Sequence, residues 1–296
     1  MKIEDYKKIR SGAIGYYHQK RGLIEVFGKE AIQFLNGLIT NDVAKLDENA
    51  QMLAAFPNAQ GRLLAVVRVL RKGDKFLFET EAATHEKVFQ NLFRFTFAGD
   101  FFVEDLSENY EYFSIVNCKL QISDSVEFES NFGQDTFVPK DAAENFQNEL
   151  LKQNAVKISD ALYEVLRIEQ GIPLYGVDMD ETTIVPEIGL ENIVSYNKGC
   201  YIGQEIIARI HFRGHIAKQL IGLILMENGK WKIENGSELK SLEGKSAGRL
   251  TSVTFSPKLE KTIALAYVRY EFLAEGTELK IGDSIAKVTN LPFIKN

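Results

Sequence analysis

Apolar and polar positions follow two different periods through the first 170 residues of the chain. Residues 13–19 and 23–27 read as short strands interrupted at Arg21-Gly22. Residues 29–38 switch to helical spacing, with Ala31, Phe34, Leu35 and Leu38 on one face. Thr40-Asn41-Asp42 follows, and side chains of this kind bond their own backbone and favour a turn. Residues 51–57 and 62–70 predict a hairpin across Asn58-Ala59-Gln60-Gly61. The second of these runs is apolar almost throughout, which suits a central strand. Residues 75–80 predict a third strand. Residues 84–95 predict a helix carrying Val88, Leu92, Phe93 and Phe95, with Gly99 as its stop.

Between residues 99 and 135 nine acids face one base, Lys119, and short strands are predicted at 101–103, 112–117, 125–128 and 136–138. Charge of this kind discourages pairing between exposed sheet edges, so solvated edges are expected, with Cys118 a small buried residue. Asp141 and Glu144 mark the start of a helix over 142–153. Residues 160–170 predict another, burying Leu162, Val165, Leu166 and Ile168 and closed by Gly171 and Pro173. Periodicity then stops. Residues 172–197 form a long irregular connection, and such connections inside compact proteins are commonly functional.

After His215 the pattern is all-β. Residues 217–226, 247–255, 262–269 and 284–288 are strand-like and separated by glycine-rich turns. This predicts a small barrel or sandwich and a division into domains at 1–215 and 216–296.

Composition adds bounds. The chain has 296 residues, a net charge of −6 and two cysteines, Cys118 and Cys200. Two distant cysteines make no disulfide framework and fit a reducing cytoplasm. Met1-Lys2-Ile3-Glu4-Asp5 has no apolar core of a secretory signal, and no run is long enough for a membrane helix. The expected protein is cytoplasmic, with no membrane partner. Its acidity argues against coating nucleic acid. Direct tRNA binding is therefore disfavoured; its footprint would be the basic 198–218 window with Arg62, Arg68, Arg71 and Lys72.

That window holds the candidate chemistry. It carries Lys198, Arg209, Arg213 and Lys218 against one acid, Glu205, and it contains Cys200 between Gly199 and Gly203. If Gly203 opens a helix, free backbone N–H groups and Lys198 would favour a thiolate at Cys200. The residues leave open a nucleophile, a redox-sensitive thiol, a soft-metal ligand or a buried structural cysteine. Cys200, His211 and His215 are too sparse for a permanent zinc site, and no Cys-x-x-Cys pair exists to hold a cluster within the chain. No Gly-x-Ser-x-Gly elbow, phosphate loop or dinucleotide fingerprint is present. Tyr163, Tyr175, Tyr196 and Tyr201 offer rings for a flat heteroaromatic ligand. Glu169 offers a carboxylate for its N–H groups, and the basic window suits an anionic tail.

Lys198-Gly199-Cys200-Tyr201-Ile202-Gly203-Gln204-Glu205, continuing to Ala208-Arg209 and Phe212-Arg213-Gly214, resembles the signature of the YgfZ family of folate-binding proteins. Arg167-Ile168-Glu169-Gln170-Gly171 through Gly176, with Pro186-Glu187, resembles the wider superfamily of the glycine-cleavage T protein, a tetrahydrofolate-dependent aminomethyltransferase. Gly28-Lys29-Glu30-Ala31 with Phe34-Leu35 and Thr40-Asn41-Asp42 is a weaker third match. The resemblance implies an α+β fold: a three-domain ring of two interleaved ferredoxin-like domains and a C-terminal β-barrel, with folate in the central hole. It implies tetrahydrofolate or a derivative as cofactor, with Tyr163 and Glu169 at the pterin and Lys198 and Arg209 at the glutamate tail. It implies iron–sulfur client enzymes or assembly proteins as partners, and through them a link to tRNA modification. Cys200 is then the functional thiol. No permanent metal is implied, although Cys200 could serve as a transient iron–sulfur ligand.

One departure bears on activity. Ala65 and Val66 stand where the resemblance to the aminomethyltransferases leads one to expect an acid pair. Neither side chain can accept a proton, so aminomethyl transfer is disfavoured unless Asp178 or Glu187 replaces the pair. A folate-dependent one-carbon transferase is the alternative to a folate-binding protein without turnover of its own.

Overall fold

The computed structural model describes residues 1–226 and 234–295. It separates into two compact units, Met1–Ser159 with Glu191–Gln204, and Asp160–Leu190 with Glu205–Asn296.

The first unit holds two five-stranded sheets. A helix α1 (Ile3–Arg10) precedes β1 (Gly15–Gln19), and only Lys20 separates β1 from β2 (Arg21–Phe27). Yet β1 and β2 lie in different sheets. The chain continues through α2 (Ala31–Leu38), β3 (Gln51–Pro57), β4 (Leu63–Lys72), β5 (Lys75–Glu81), α3 (His85–Phe93) and β6 (Phe102–Asp105). These strands complete the second sheet in the order β3-β4-β5-β2-β6. It then returns to the first sheet with β7 (Tyr110–Val116), β8 (Val126–Ser130), β9 (Gly133–Pro139), α4 (Ala143–Lys152) and β10 (Val156–Lys157), ordered β10-β1-β7-β9-β8. The two α+β halves are therefore interleaved.

Strand β4 is interior to its sheet, as its apolar run predicts. Its side chains alternate: Leu63, Ala65, Val67 and Val69 are fully or almost fully buried. Ala65, Val67 and Val69 join Leu35, Leu38, Phe56 and Phe78 in the core between this sheet and α2 and α3. Each large apolar side chain enclosed there contributes roughly 1.5–3 kcal/mol of transfer free energy. A second cluster, including Leu23, Leu77, Tyr112 and Phe137, draws on strands of both sheets.

That junction also contains a charged network. Arg68 donates from Nε to Glu79 at 2.9 Å and pairs with Asp135 at 2.7 Å, and Arg21 pairs with Glu79 at 2.8 Å. Burial works against the Arg68 charge, but Glu79 and Asp135 outweigh it and hold its pKa well above the ordinary value. Arg68 is half-buried, with its guanidinium engaged by Glu79 and Asp135. Arg71 donates to the Leu46 carbonyl and the exposed Lys72 to that of Ser125. Asp135 departs from the expected solvated edge, being 6% exposed. Cys118 is half-buried rather than enclosed.

The second unit begins with α5 (Asp160–Glu169), and α6 (Gln204–Arg213) leads into the barrel strands. These are β11 (Lys218–Leu225), β12 (Glu238–Ser241), β13 (Ser246–Ser256), β14 (Lys261–Arg269), β15 (Glu278–Ile281) and β16 (Ser284–Thr289). They close in the order β11-β14-β13-β12-β15-β16, with β11 pairing to β16. Closure leaves no exposed edge. Alternate residues, among them Leu223, Leu250, Ala266 and Val288, fill the interior. Outside it, Ile168 of α5 packs with Leu220, Ile263, Leu265 and Tyr267. Gly171 ends α5 at φ +68°, and a Cβ there would lie 2.8 Å from the Leu291 side chain. Among the described residues no helix is long and apolar enough to cross a membrane.

Candidate functional site

The signature segment is built from two directions. Residues 191–204 lie in the first unit, and α6 continues in the second. The helix expected after Gly203 is present and extends to Arg213. Gly203 itself has φ +80°, a left-handed conformation that side chains rarely adopt. A Cβ there would also sit 2.3 Å from the carbonyl oxygen of Asn58. The glycine lets the loop lie directly on the β3–β4 turn, whose own shape comes from Asn58 accepting the amides of Gln60 and Arg62 at 2.9 and 3.0 Å.

The rest of the loop is held by the turn after α2. Thr40 donates its hydroxyl to the Ile193 carbonyl at 2.6 Å and accepts the Ala55 amide at 2.9 Å. Asn41 donates to the carbonyls of Leu53 and Asn192, both at 2.8 Å. The Ser195 amide donates to Thr40 O, and the Ile202 amide to Gly37 O. Thr40-Asn41-Asp42 does more than end a helix; it docks the signature loop. Sequence reasoning identified the turn but missed this role, because the partners are about 150 residues away.

Lys198 is part of the same contact. Its ammonium donates to the Ile39 carbonyl at 2.8 Å and the Asn41 carbonyl at 2.7 Å. It also lies 5.0 Å from the centre of the Tyr201 ring. Desolvation pushes its pKa down to about 8, against a smaller upward pull from Asp42. Tyr201 is nearly buried, and burial, helped by Tyr196, pushes its hydroxyl up to about 12. Cys200 is solvent-exposed, so the buried structural cysteine left open by the sequence is set aside. Lys198, expected at an anionic tail, thus has two of its three N–H donors engaged by backbone carbonyls.

In the second unit α5 carries the other candidates. Tyr163 is half-buried. Glu169 is fully buried, and its carboxylate accepts the Ser256 hydroxyl from β13. Its backbone carbonyl accepts the amides of Phe293 and Ile294. Arg209 on α6 is exposed, as are His211, Phe212 and Arg213.

Arg167 and Asp178 form a buried centre that the sequence did not reveal. Asp178 accepts Arg167 at 2.9 Å, the Leu174 amide at 3.0 Å, Thr251 at 2.6 Å and Ser252 at 2.7 Å. Burial opposes the Arg167 charge, but Glu164 and Asp178 raise its pKa above the ordinary value. Both carboxylate oxygens of Asp178 are thereby committed to holding the irregular segment against β13. Glu187 is also buried and turns back to the Ile184 amide at 3.4 Å, capping a single 3-10 turn. Asp178, with both oxygens engaged, is not poised as a replacement base.

The donor set fits a folate in chemical type. Tyrosine rings suit its flat ring system, the Glu169 carboxylate suits a pterin N–H, and the exposed Arg209 guanidinium suits a glutamate tail.

Comparison with known proteins bears on the fold and the family. Residues 2–118 match the GCVT N-terminal domain, and residues 218–295 match the glycine cleavage T-protein C-terminal barrel domain. An aminomethyltransferase of Thermotoga maritima is 29% identical, over 97% of this chain and 84% of its own. That of Thermoanaerobacter pseudethanolicus is 25% identical over 94% and 84%. The crystal structure of the glycine cleavage system aminomethyltransferase T from Bartonella henselae superposes with a TM-score of 0.87, at 22% identity, over 98% of this chain and 90% of that one. That likeness is one of fold. With its N-terminal domain and its terminal barrel both matched, the chain belongs to the glycine-cleavage T-protein superfamily.

Proposed function

We propose that this protein binds tetrahydrofolate or a close derivative and presents Cys200 as a functional thiol in support of iron–sulfur enzymes, and through them of tRNA modification. The observation that carries this reading is Cys200 itself, exposed on a loop that several hydrogen bonds hold in place. Tyr163 and Glu169 are the proposed pterin contacts, Glu169 through the carboxylate that Ser256 now occupies. Arg209 is the proposed partner of the tail. Bound folate would supply a reduced pterin able to carry one-carbon units. The chain's own part is to orient that ring, neutralise the tail and keep the thiol accessible. An iron–sulfur cluster enters this reading as a client's cargo, for which Cys200 is a candidate transient ligand.

A second reading, a tetrahydrofolate-dependent aminomethyl or one-carbon transferase, draws its support from the names of the relatives. Against it stands the chemistry of the strand. Ala65 is sealed in the core, Val66 carries no ionisable group, and both oxygens of Asp178 are engaged by Arg167, Leu174, Thr251 and Ser252. Proton transfer needs a group within hydrogen-bond reach of the reacting atom.

One experiment separates the readings. Wild type and Cys200→Ser are titrated with tetrahydrofolate, assayed for aminomethyl transfer, and tested for restoring radical iron–sulfur tRNA-modifying activity in cells lacking the protein. The proposal expects equal folate affinity, no transfer by either protein, and loss of restoration in Cys200→Ser. Robust transfer by wild type that survives Cys200→Ser would establish the second reading instead.

A further inference from the structure

Three successive carbonyls after α2 face the signature loop. Thr40 O accepts the Ser195 amide, while Ile39 O and Asn41 O on either side of it both accept Lys198 Nζ. Further along, Gly37 O accepts the Ile202 amide. Cys200 lies between the tethers at 198 and 202. The Lys198 side chain is half-buried and spans from the loop to the turn, with the Tyr201 ring beneath its charge. Hydrogen bonds from a charged donor are about twice as strong as neutral ones.

We propose that Lys198 is a positioning residue: it latches the Cys200 loop to the 39–41 turn and so sets how the thiol is presented. The latch rests on the hydrogen bonds alone; only its consequence for function rests on the proposed role of Cys200. The two carbonyls take two of the three ammonium N–H donors, so the latch is a role distinct from tail binding and is tested separately from it.

The test uses the full chain in a Cys118→Ser background, leaving Cys200 as its one thiol. Alkylation of Cys200 by iodoacetamide and amide hydrogen exchange are measured at pH 7 for wild type, Lys198→Met and Lys198→Arg. The expected result for Lys198→Met is at least a tenfold loss of protection at Ser195 and Ile202, a change of threefold or more in alkylation rate, and unchanged protection in the barrel. Lys198→Arg, which keeps a cationic donor, should restore both readouts to within about twofold. Wild-type behaviour of Lys198→Met overturns the proposal. So does protection lost equally across the barrel, because the effect is then not local to the loop. If Lys198→Met does not fold, Lys198→Arg and Lys198→Gln decide: an arginine no better than glutamine overturns the latch. A Lys198→Met protein that loses tetrahydrofolate affinity while its loop protection is intact makes Lys198 a tail ligand and likewise overturns it. Exchange and alkylation involve neither folate nor an iron–sulfur client, so this proposal and the functional reading can fail separately.

Discussion

Glu79 shows how one residue's surroundings set its contribution. Burial tends to raise its pKa, but Arg68 and Arg21 outweigh that and lower it below the ordinary carboxylate value. A carboxylate with a depressed folded pKa contributes stability that is present above its unfolded pKa and lost as pH falls through the folded one. The protein should therefore lose stability below about pH 4.5, and Glu79→Gln should flatten that loss. Urea midpoints from pH 7 to pH 3 check this. Removing one partner of a buried pair leaves an uncompensated charge, so Arg68→Met should cost about 3–5 kcal/mol at pH 7. Lys198 is shifted in the same direction, but by a burial penalty on its charge and not by favourable pairing. Its folded pKa of about 8 lies below its ordinary value, so the burial penalty is fully present below pH 8. Stability relative to Lys198→Met should rise between pH 8 and about 10.4 as the unfolded chain retains the extra proton. The neutral amine still has N–H donors for both carbonyls.

Among the elements, Gly203 connects the signature loop to the β3–β4 turn. Gly203→Ala must adopt a left-handed backbone and displace the Asn58 carbonyl. Destabilisation of about 1–3 kcal/mol is expected, with exchange protection lost first at Ser195 and Ile202. Elements with dense apolar periodicity, such as α2, α5 and β4, were legible in the sequence. Those without it were not. Helix α1 buries only Tyr6 and Ile9, and β12 and β15 are four residues each. The helix expected after Asp141 is present as α4, although the residue at its cap is Ala142 and no side chain caps it. A cap signal states what a side chain can do locally and not which way the incoming chain turns.

For the whole molecule, Asp178 matters most in the second unit, because it joins α5, the irregular segment and β13 through four accepted hydrogen bonds. Asp178→Ala would leave Arg167 buried and only partly compensated. It should destabilise this unit by about 3–5 kcal/mol, and barrel amides should lose exchange protection before those of β3–β5. Uniform loss in both units would refute that separation.

The sequence by itself determined the β-rich C-terminal region, most helices and strands of the first 170 residues, and the segment around Cys200 as the centre of interest. These follow from short-range periodicity and local residue chemistry. Only the tertiary structure decided what the polar side chains do. It gave Lys198 two backbone carbonyls as partners, buried Asp135 against Arg68 between sheets, and assigned Asp178 to Arg167. The reason is physical: a buried charge takes its role from partners distant in the chain, and no local pattern records which partners folding will bring.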